Sequence, residues 1–232
     1  MSVGILIPAK GKSKRIHKKN LQKLGDKTLI EICCEKAINC KNVDKIILNS
    51  DSNEIIELCS KYKSDSRFNI AIRDIELIGD NIGTPAICKK LLVKDTNIST
   101  LGVLHSTAPF LTVNSIDKAI EMFLTGQAIY DSLFTVEILR DYLWKDAPLN
   151  FNVDCTISTD EVEVYYKLTG GLFISSRKYI LENETFIGKM PLLFSVPVME
   201  SLDINYQDEL ELARHIYENL NSRKNNKNPG GD

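Results

Sequence analysis

Short apolar runs alternate along the chain with segments whose apolar residues recur at helical spacing. The apolar runs, which are typical of buried strands, cover residues 3–8, 45–50, 69–73, 100–105 and 132–136. The helical spacing occurs between them, over residues 27–39, 53–62, 85–93 and 114–124, with Asn114 as the expected cap of the last helix. This alternation predicts an α/β fold with a doubly wound, mostly parallel sheet. Ligands of such sheets bind beyond the carboxyl ends of the strands, so the segments that follow the strands are the candidate site.

The pattern changes after residue 138. Residues 140–164 contain the single tryptophan, Trp144, and are interpreted as an excursion from the sheet, with a hairpin as one option. Two strands and two helices are predicted to follow, at residues 172–174, 191–198, 177–183 and 207–220. We expect one domain over residues 1–221, with the excursion at about 138–165, and a disordered tail over residues 222–232, which is rich in Asn, Lys and Gly.

Composition narrows the function classes. A chain of 232 residues with 43% apolar and 26% charged residues suits one globular domain with a substantial core. The formal net charge of -2 gives no whole-surface attraction to nucleic acid or to anionic membranes. No apolar run reaches the roughly 18 residues of a membrane span, and we expect a cytoplasmic protein. The six cysteines form no C-x-x-C pair and the three histidines match no zinc motif, so we expect reduced thiols and no structural metal.

A basic loop follows the first predicted strand directly. Its cations fall within ten residues and are Lys10, Lys12, Lys14, Arg15, Lys18 and Lys19. Like charges at this density repel one another, so a bound polyanion would stabilise the loop, and Gly11 and Ser13 would let backbone N–H groups approach it. The loop lacks the Walker pattern and the dinucleotide-binding glycine pattern. The alternative is a solvated or nucleic-acid-binding basic run.

The basic loop resembles the CTP-binding loop of the CMP-sialic acid synthetases, which runs hydrophobic-x-A-R-x-x-S-K-G-x-x-x-K-N. The matching residues are Ala9, Ser13, Lys14, Lys19 and Asn20. Lys10 stands where the family usually has arginine, and Arg15 replaces a glycine, as in the pseudaminic acid branch. The resemblance implies that Lys10, Lys14 and Lys19 cradle the CTP phosphates together with the backbone of residues 11–13, and that Ala9 and Asn20 lie at the nucleotide.

Residues 104–111 resemble a second motif of this family, L-Q-P-T-S-P-L-R, in which Leu104, Thr107 and Pro109 match. His105 replaces the glutamine that helps to hold the acidic sugar in the relatives, so His105 and Thr107 are candidate substrate contacts. A histidine here can hydrogen-bond a carboxylate or act as a base. The alternative is a histidine whose hydrogen bonds are satisfied at the end of a strand.

Two further segments complete the resemblance. Arg73 and Thr84 match positions near the cytidine, although an ordinary glycine-containing turn with a surface arginine is the alternative. Residues 201–213 resemble S-x-D-I-D-T-x-x-D-L-x-x-A, whose first two aspartates bind Mg²⁺ in the relatives. Asp203 matches the first aspartate, and Asn205 replaces the second. Asn205 is therefore a candidate metal ligand through its carbonyl oxygen, or else the N-cap of the helix that follows.

The sugar half of the motif set matches poorly. Leu111 replaces an arginine, and residues 158–160 stand where the relatives carry R-x-Q. The resemblance implies a Mg²⁺-dependent, homodimeric cytidylyltransferase that transfers CMP from CTP to a hydroxyl of an acidic, 2-keto-3-deoxy, sialic acid-like sugar and releases pyrophosphate. One alternative is an enzyme of the same fold that uses a phosphonate or sugar phosphate. The other is a non-catalytic module that binds nucleotides or polyanions.

Overall fold

The computed structural model describes residues 2–79, 82–155 and 158–226. Its strands are β1 Val3–Ala9, β2 Lys23–Leu24, β3 Lys27–Thr28, β4 Lys45–Ser50, β5 Phe68–Ile72, β6 Thr100–Leu104, β7 Ser132–Leu139, β8 Tyr165–Ser176 and β9 Pro191–Ser195. Its helices are α1 Leu29–Asn39, α2 Asn53–Cys59, α3 Thr84–Lys94, α4 Val113–Gly126, α5 Arg177–Asn183 and α6 Gln207–Asn226.

Seven strands form one sheet in the order β5-β4-β1-β6-β8-β7-β9, and β2 pairs with β3 in a small hairpin. Strand β1 runs parallel to β4 and β6, β4 runs parallel to β5, and β7 runs parallel to β9. Strand β8 is antiparallel to both of its neighbours. The predicted α/β fold with a mostly parallel sheet is therefore confirmed, with one reversed strand beside the centre.

Both faces of the central strands are covered by helices, which explains why their sequences are continuously apolar. Ile5 and Ile7 face one way and pack in a cluster with residues of α1 and α4. Leu6 points to the opposite face and packs with residues of α3 and α5. The alternation of the pleat thus divides β1 between two cores, and all three side chains are fully buried. This burial fixes the carboxyl end of β1, where the basic loop begins.

Several predicted boundaries are wrong for physical reasons that the structure shows. Thr112, not Asn114, caps α4, because its hydroxyl accepts the N–H of Ser115 at 3.2 Å. The strand predicted at residues 172–174 is the end of the 12-residue β8. Its first part is largely exposed to solvent, and Gly170 interrupts it with a φ of +72°. Strand β9 ends before Pro197, which has no N–H to continue a ladder.

The predicted excursion and tail are seen in part. Over residues 140–155 and 158–164, the β-pairing is an isolated bridge between Trp144 and Pro148, rather than a regular hairpin. Asn150 organises this segment, since its side chain accepts the N–H of Leu143 and donates to the carbonyl oxygens of Asp141 and Glu163. Helix α6 extends into the predicted tail, as far as residue 226, and residues 227–232 lie outside the described part. None of the described helices is both long and apolar enough to span a membrane.

Candidate active site

A cavity of about 480 Å³ opens at the carboxyl ends of the central strands. The predicted site residues that line it are Lys10, Lys19, Asn20, Arg73, Thr84, His105, Thr107, Asp203 and Asn205. An adjoining cavity of about 300 Å³ is lined by Ser13 and Lys14 and shares Lys10 and Arg73 with the first. Residues from distant parts of the sequence therefore converge here. Ala9 is an exception, because it is buried in the core at the end of β1.

The basic loop is docked on the turn between β4 and α2. The N–H of Gly11 donates to Asp51 Oδ1 at 2.7 Å, and Lys18 forms an ion pair with Glu54 at 2.5 Å. A Cβ atom on Gly11 would lie 2.8 Å from the Cβ of Ser52, so glycine is required for this close approach. In this structure the N–H of Gly11 is engaged by Asp51, so the expected approach of this N–H to a phosphate stays a prediction. The role of Gly11 in this structure is to place the loop.

Lys19 and Asn20 join the basic loop to the rest of the site. Lys19 Nζ donates to the carbonyl oxygen of Ile204 at 2.8 Å; burial lowers the pKa of Lys19, while the charge of Asp203 opposes that shift. Asn20 donates from Nδ2 to the carbonyl oxygen of Lys10 at 2.8 Å and accepts the Ser106 hydroxyl on Oδ1 at 2.6 Å. Asn20 is thus a buried link between segments, and its two amide atoms both bond within the protein.

Arg73 is not the surface arginine of the alternative interpretation, since only 8% of its surface is exposed. Its Nε donates to Asn49 Oδ1 at 2.8 Å and its Nη2 donates to the carbonyl oxygen of Asn49 at 3.1 Å. Burial lowers the pKa of Arg73, and the charge of Asp51 opposes this. The anchored guanidinium lines both cavities and so presents fixed donors to whatever they hold.

His105 is held on two sides by the β8 glycines. Its backbone N–H donates to the carbonyl oxygen of Gly171 at 3.0 Å, and its Nδ1 lies 2.7 Å from the carbonyl oxygen of Gly170. Since a carbonyl oxygen only accepts, Nδ1 carries the proton, and in the neutral ring Nε2 keeps its lone pair. Burial lowers the pKa of His105, opposed by the bond to Gly170 and by Asp203. The ring is therefore neutral at pH 7.

Asp203 and Asn205 form a coupled pair. Asn205 Nδ2 donates to Asp203 Oδ2 at 2.6 Å, whereas Asp203 Oδ1 is buried without a hydrogen-bond partner. The N-cap interpretation of Asn205 is wrong. Helix α6 begins at Gln207. The side chain of Glu209 accepts the N–H groups that precede the helix, those of Asn205 at 2.5 Å and Tyr206 at 2.8 Å. The Asn205 side chain instead turns towards the carboxylate and leaves its own carbonyl oxygen as an acceptor.

Residues 4–222 match the model of a protein family described as cytidylyltransferase. The chain belongs to the cytidylyltransferase family. It is therefore a CTP-dependent nucleotidyltransferase, as the basic loop and the carboxy-terminal motif predicted.

Known proteins similar to this cytidylyltransferase agree with that assignment. The pseudaminic acid cytidylyltransferase of Campylobacter jejuni is 29% identical over 225 residues, which cover 91% of this chain and 94% of the relative. The N-acylneuraminate cytidylyltransferase of Escherichia coli is 26% identical over 94% of this chain and 53% of its own length. A solved CMP:2-keto-3-deoxy-manno-octonic acid synthetase in complex with CTP superposes with a TM-score of 0.70 at 12% identity, covering 95% of this chain and all of that one. The structural likeness supports the fold.

The arrangement of this cytidylyltransferase at Asp203 fits a hard divalent cation. Such ions prefer oxygen ligands and keep several waters, so one or two protein oxygens suffice. The unpartnered Asp203 Oδ1 and the carbonyl oxygen of Asn205 are oxygens of this kind. No cluster of three or more ligating side chains occurs in the described part of the chain, so a cation here would depend on waters and on the nucleotide for its other ligands.

Two further residues shape the site. Asp51 follows β4 directly, at the edge where the sequence pattern places the ligand, and it anchors the basic loop. Lys36 of α1 donates to the carbonyl oxygens of Ala108, at 3.1 Å, and Pro109, and burial lowers its pKa to about 8. Through these two hydrogen bonds, Lys36 holds the segment that follows β6 against α1. Nothing in the helical pattern of α1 distinguishes this lysine from its solvated neighbours.

Proposed function

We propose that this cytidylyltransferase transfers CMP from CTP to a hydroxyl of an acidic, 2-keto-3-deoxy, sialic acid-like sugar and releases pyrophosphate. The observation that carries the proposal is that one cavity is lined both by Lys10 and Lys19 of the basic loop and by Asp203 near the other end of the chain. The names of the relatives, which refer to pseudaminic acid and N-acylneuraminate, support this class of acceptor.

The triphosphate carries about four negative charges that must be screened before an oxygen can attack the α-phosphorus. Lys10, Lys14 and Lys19 supply positive charge along the two adjoining cavities. Positioning and charge stabilisation provide most of the catalysis in reactions of this kind, so a fixed loop matters as much as its charge. The bonds of Gly11 and Asn20 within the protein provide that fixation.

A magnesium ion would be held by Asp203, through its unpartnered Oδ1, and by Asn205, through its carbonyl oxygen. When bound, such an ion supplies charge stabilisation to the phosphate oxygens and the leaving pyrophosphate. Lys19 orients this segment, because its ammonium holds the carbonyl oxygen of Ile204, the residue between the two ligands. Arg73 and Thr84 would contact the nucleoside, while His105 and Thr107 would face the acceptor.

The acceptor side differs from the CMP-sialic acid synthetase pattern. Leu111, at the position of a family arginine, is fully buried in the core and offers no charge to an acidic sugar. The carboxylate of the acceptor would then be recognised by the cations of the cavity itself, of which Arg15 and Lys19 are two. This departure favours one second candidate, an enzyme of the same fold that uses a phosphonate or a sugar phosphate.

We also propose that the enzyme is a cytoplasmic homodimer in which residues 140–164 contact the second subunit. Trp144 is 61% exposed and Tyr142 is 47% exposed, and both rings pack against Phe151. Exposed aromatic side chains of this kind are enriched at interfaces. Analytical ultracentrifugation checks the proposal: a dimer that weakens in Trp144→Ala supports it, and a monomer at all concentrations contradicts it.

The decisive assay measures pyrophosphate release from CTP and Mg²⁺ with a panel of 2-keto sugar acids, phosphonates and sugar phosphates. Turnover with a sugar acid supports the proposed function, and turnover confined to the other acceptors supports the second candidate. CTP binding without any turnover would indicate a non-catalytic nucleotide-binding module. Asp203→Asn should abolish turnover, while the matched variant Asp208→Asn, which changes an exposed carboxylate of α6, should not.

A further inference from the structure

The proposed reaction requires a proton acceptor at the attacking oxygen. A hydroxyl that attacks the α-phosphorus must lose its proton as the new bond forms, and a positioned base accelerates this step. The titratable side chains among the described residues that line the cavity are Lys10, Arg15, Lys19, Arg73, His105 and Asp203. The base, if the protein supplies one, belongs to this set.

Most of these groups are unsuited to accept a proton. The guanidinium groups of Arg15 and Arg73 stay protonated, and a lysine ammonium has no lone pair. The ammonium of Lys19 also donates a hydrogen bond to the carbonyl oxygen of Ile204. Asp203 holds the Asn205 amide on Oδ2, and its Oδ1 is the oxygen suited to a cation. The neutral imidazole of His105 remains.

The hydrogen bonding of His105 identifies which ring nitrogen can accept a proton. Nδ1–H is committed to the carbonyl oxygen of Gly170 at 2.7 Å, so the lone pair of the neutral ring is on Nε2. The ring also lies edge-to-face on Phe173, with 5.8 Å between centroids, and this contact limits its rotation. A carbonyl that accepts from Nδ1 favours the protonated ring once Nε2 has taken a proton.

We propose that Nε2 of His105 is the general base that takes the proton from the attacking hydroxyl of the acceptor. This inference rests on the proposed function. As the O–H bond of the acceptor breaks, its proton moves to Nε2 and the oxygen forms a bond to the α-phosphorus. The bond between the α-phosphorus and the bridging oxygen breaks, and pyrophosphate leaves with that electron pair. The imidazolium then returns its proton to water.

The charges that face His105 are compatible with this cycle. The charge of Asp203 favours the imidazolium, and the charge of Lys19 disfavours it. The geometry assigns the accepting atom, because the Nδ1–H bond to Gly170 leaves the lone pair of the neutral ring on Nε2. The glutamine that the CMP-sialic acid synthetase motif carries at this position has no such function, because an amide does not accept a proton in this pH range.

The test compares His105→Gln and His105→Ala with His215→Gln, which changes an exposed histidine on α6 as the matched control. Steady-state assays of pyrophosphate release give kcat and KM, and calorimetry gives the Kd for CTP. We expect kcat to fall by on the order of 10²–10⁴-fold in both His105 variants, with the KM for the acceptor and the Kd for CTP within a few-fold of the parent. Added imidazole should raise the kcat of His105→Ala, and the control should match the parent.

Two results would overturn the assignment. If His105→Gln keeps its kcat and only the KM for the acceptor rises, His105 is a binding residue. If imidazole fails to restore activity to His105→Ala, no missing base is being replaced. Thermal unfolding of each variant separates both results from a loss of folding. If the parent enzyme itself releases no pyrophosphate with any acceptor, the proposed function fails, which is a different outcome from the failure of the base.

Discussion

Replacing Asn205 with Asp converts a hydrogen bond into a pair of like charges. In the parent, Asn205 Nδ2 donates to Asp203 Oδ2 at 2.6 Å. In Asn205→Asp, two carboxylates would face each other with their charge centres roughly 4 Å apart. At an effective dielectric constant of about 20, their repulsion is about 4 kcal/mol, and water at this half-buried position reduces it. Without a divalent cation, we therefore expect the variant to lose about 2–4 kcal/mol of unfolding free energy.

Magnesium should reverse this loss, because a cation between two carboxylates turns repulsion into ligation. A ligand that binds only the folded state stabilises it by about 2.7 kcal/mol at a concentration of one hundred times its Kd. The assay is urea unfolding of Asn205→Asp in EDTA and in Mg²⁺, without nucleotide. The parent should gain less from Mg²⁺ than the variant. Asn205→Ala is the matched control, since it loses the hydrogen bond and the carbonyl ligand without adding charge, and it should gain no more stability from Mg²⁺ than the parent. Equal responses of Asn205→Asp and the parent to Mg²⁺ would refute the metal assignment.

Three other substitutions test separate parts of the account. Lys14→Ala should weaken CTP binding roughly 10–100-fold, as expected for a lost charge-assisted bond, and CMP binding much less; equal losses in calorimetry would rule out a contact to the outer phosphates. Gly170→Ala should lower stability by about 1–2 kcal/mol, because φ is +72°, and should lower kcat, because the new Cβ would lie 3.1 Å from Asp203 Oδ2; unchanged melting and turnover would contradict both effects. Burial raises the pKa of Glu31, but its bonds with Lys61 and Thr28 outweigh this and lower the pKa to about 2. Its contribution, up to about 3 kcal/mol, is therefore present above pH 4.5 and lost as the pH falls towards 2, and Glu31→Gln should flatten unfolding free energy across that window.

The strands that build the site could be predicted because they are buried on both faces. Continuous apolar runs mark β1, β4 and β6, and the rule that ligands bind at the carboxyl ends of parallel strands then places the basic loop and His105 at one edge. Residues 201–213 joined this edge only through the family resemblance. Helical spacing and turn residues contain no information that would bring Asp203 back to β1.

The contacts that define each residue's role could not be predicted, because they depend on strand register and rotamers. Ala9 pairs with Ser50, which brings Gly11 within reach of Asp51, and no local pattern encodes that pairing. Asn205 shows the same limit. An asparagine just before a helix is typical of an N-cap, and only the position of Glu209 frees its side chain for Asp203.

The length and direction of β8 could not be predicted from the sequence either. Its first residues are largely exposed and do not alternate between apolar and polar, so the period-two signal is weak. In the sequence, Gly170 is typical of a turn rather than of an interruption within a strand, which is what its positive φ marks. That interruption is where the carbonyl of Gly170 meets His105 and where its missing Cβ leaves space for Asp203. Gly170 therefore both weakens the sequence signal for the strand and brings His105 and Asp203 into place at the site.

The most direct test of the central claim is a ³¹P NMR time course of the enzyme with CTP, Mg²⁺ and a 2-keto-3-deoxy sugar acid. The account predicts that the three CTP resonances are replaced by one phosphodiester resonance of a CMP-sugar and by the resonance of pyrophosphate, in equal molar amounts. Persistence of CTP with every acid tested, or the appearance of CMP without a phosphodiester, would contradict it.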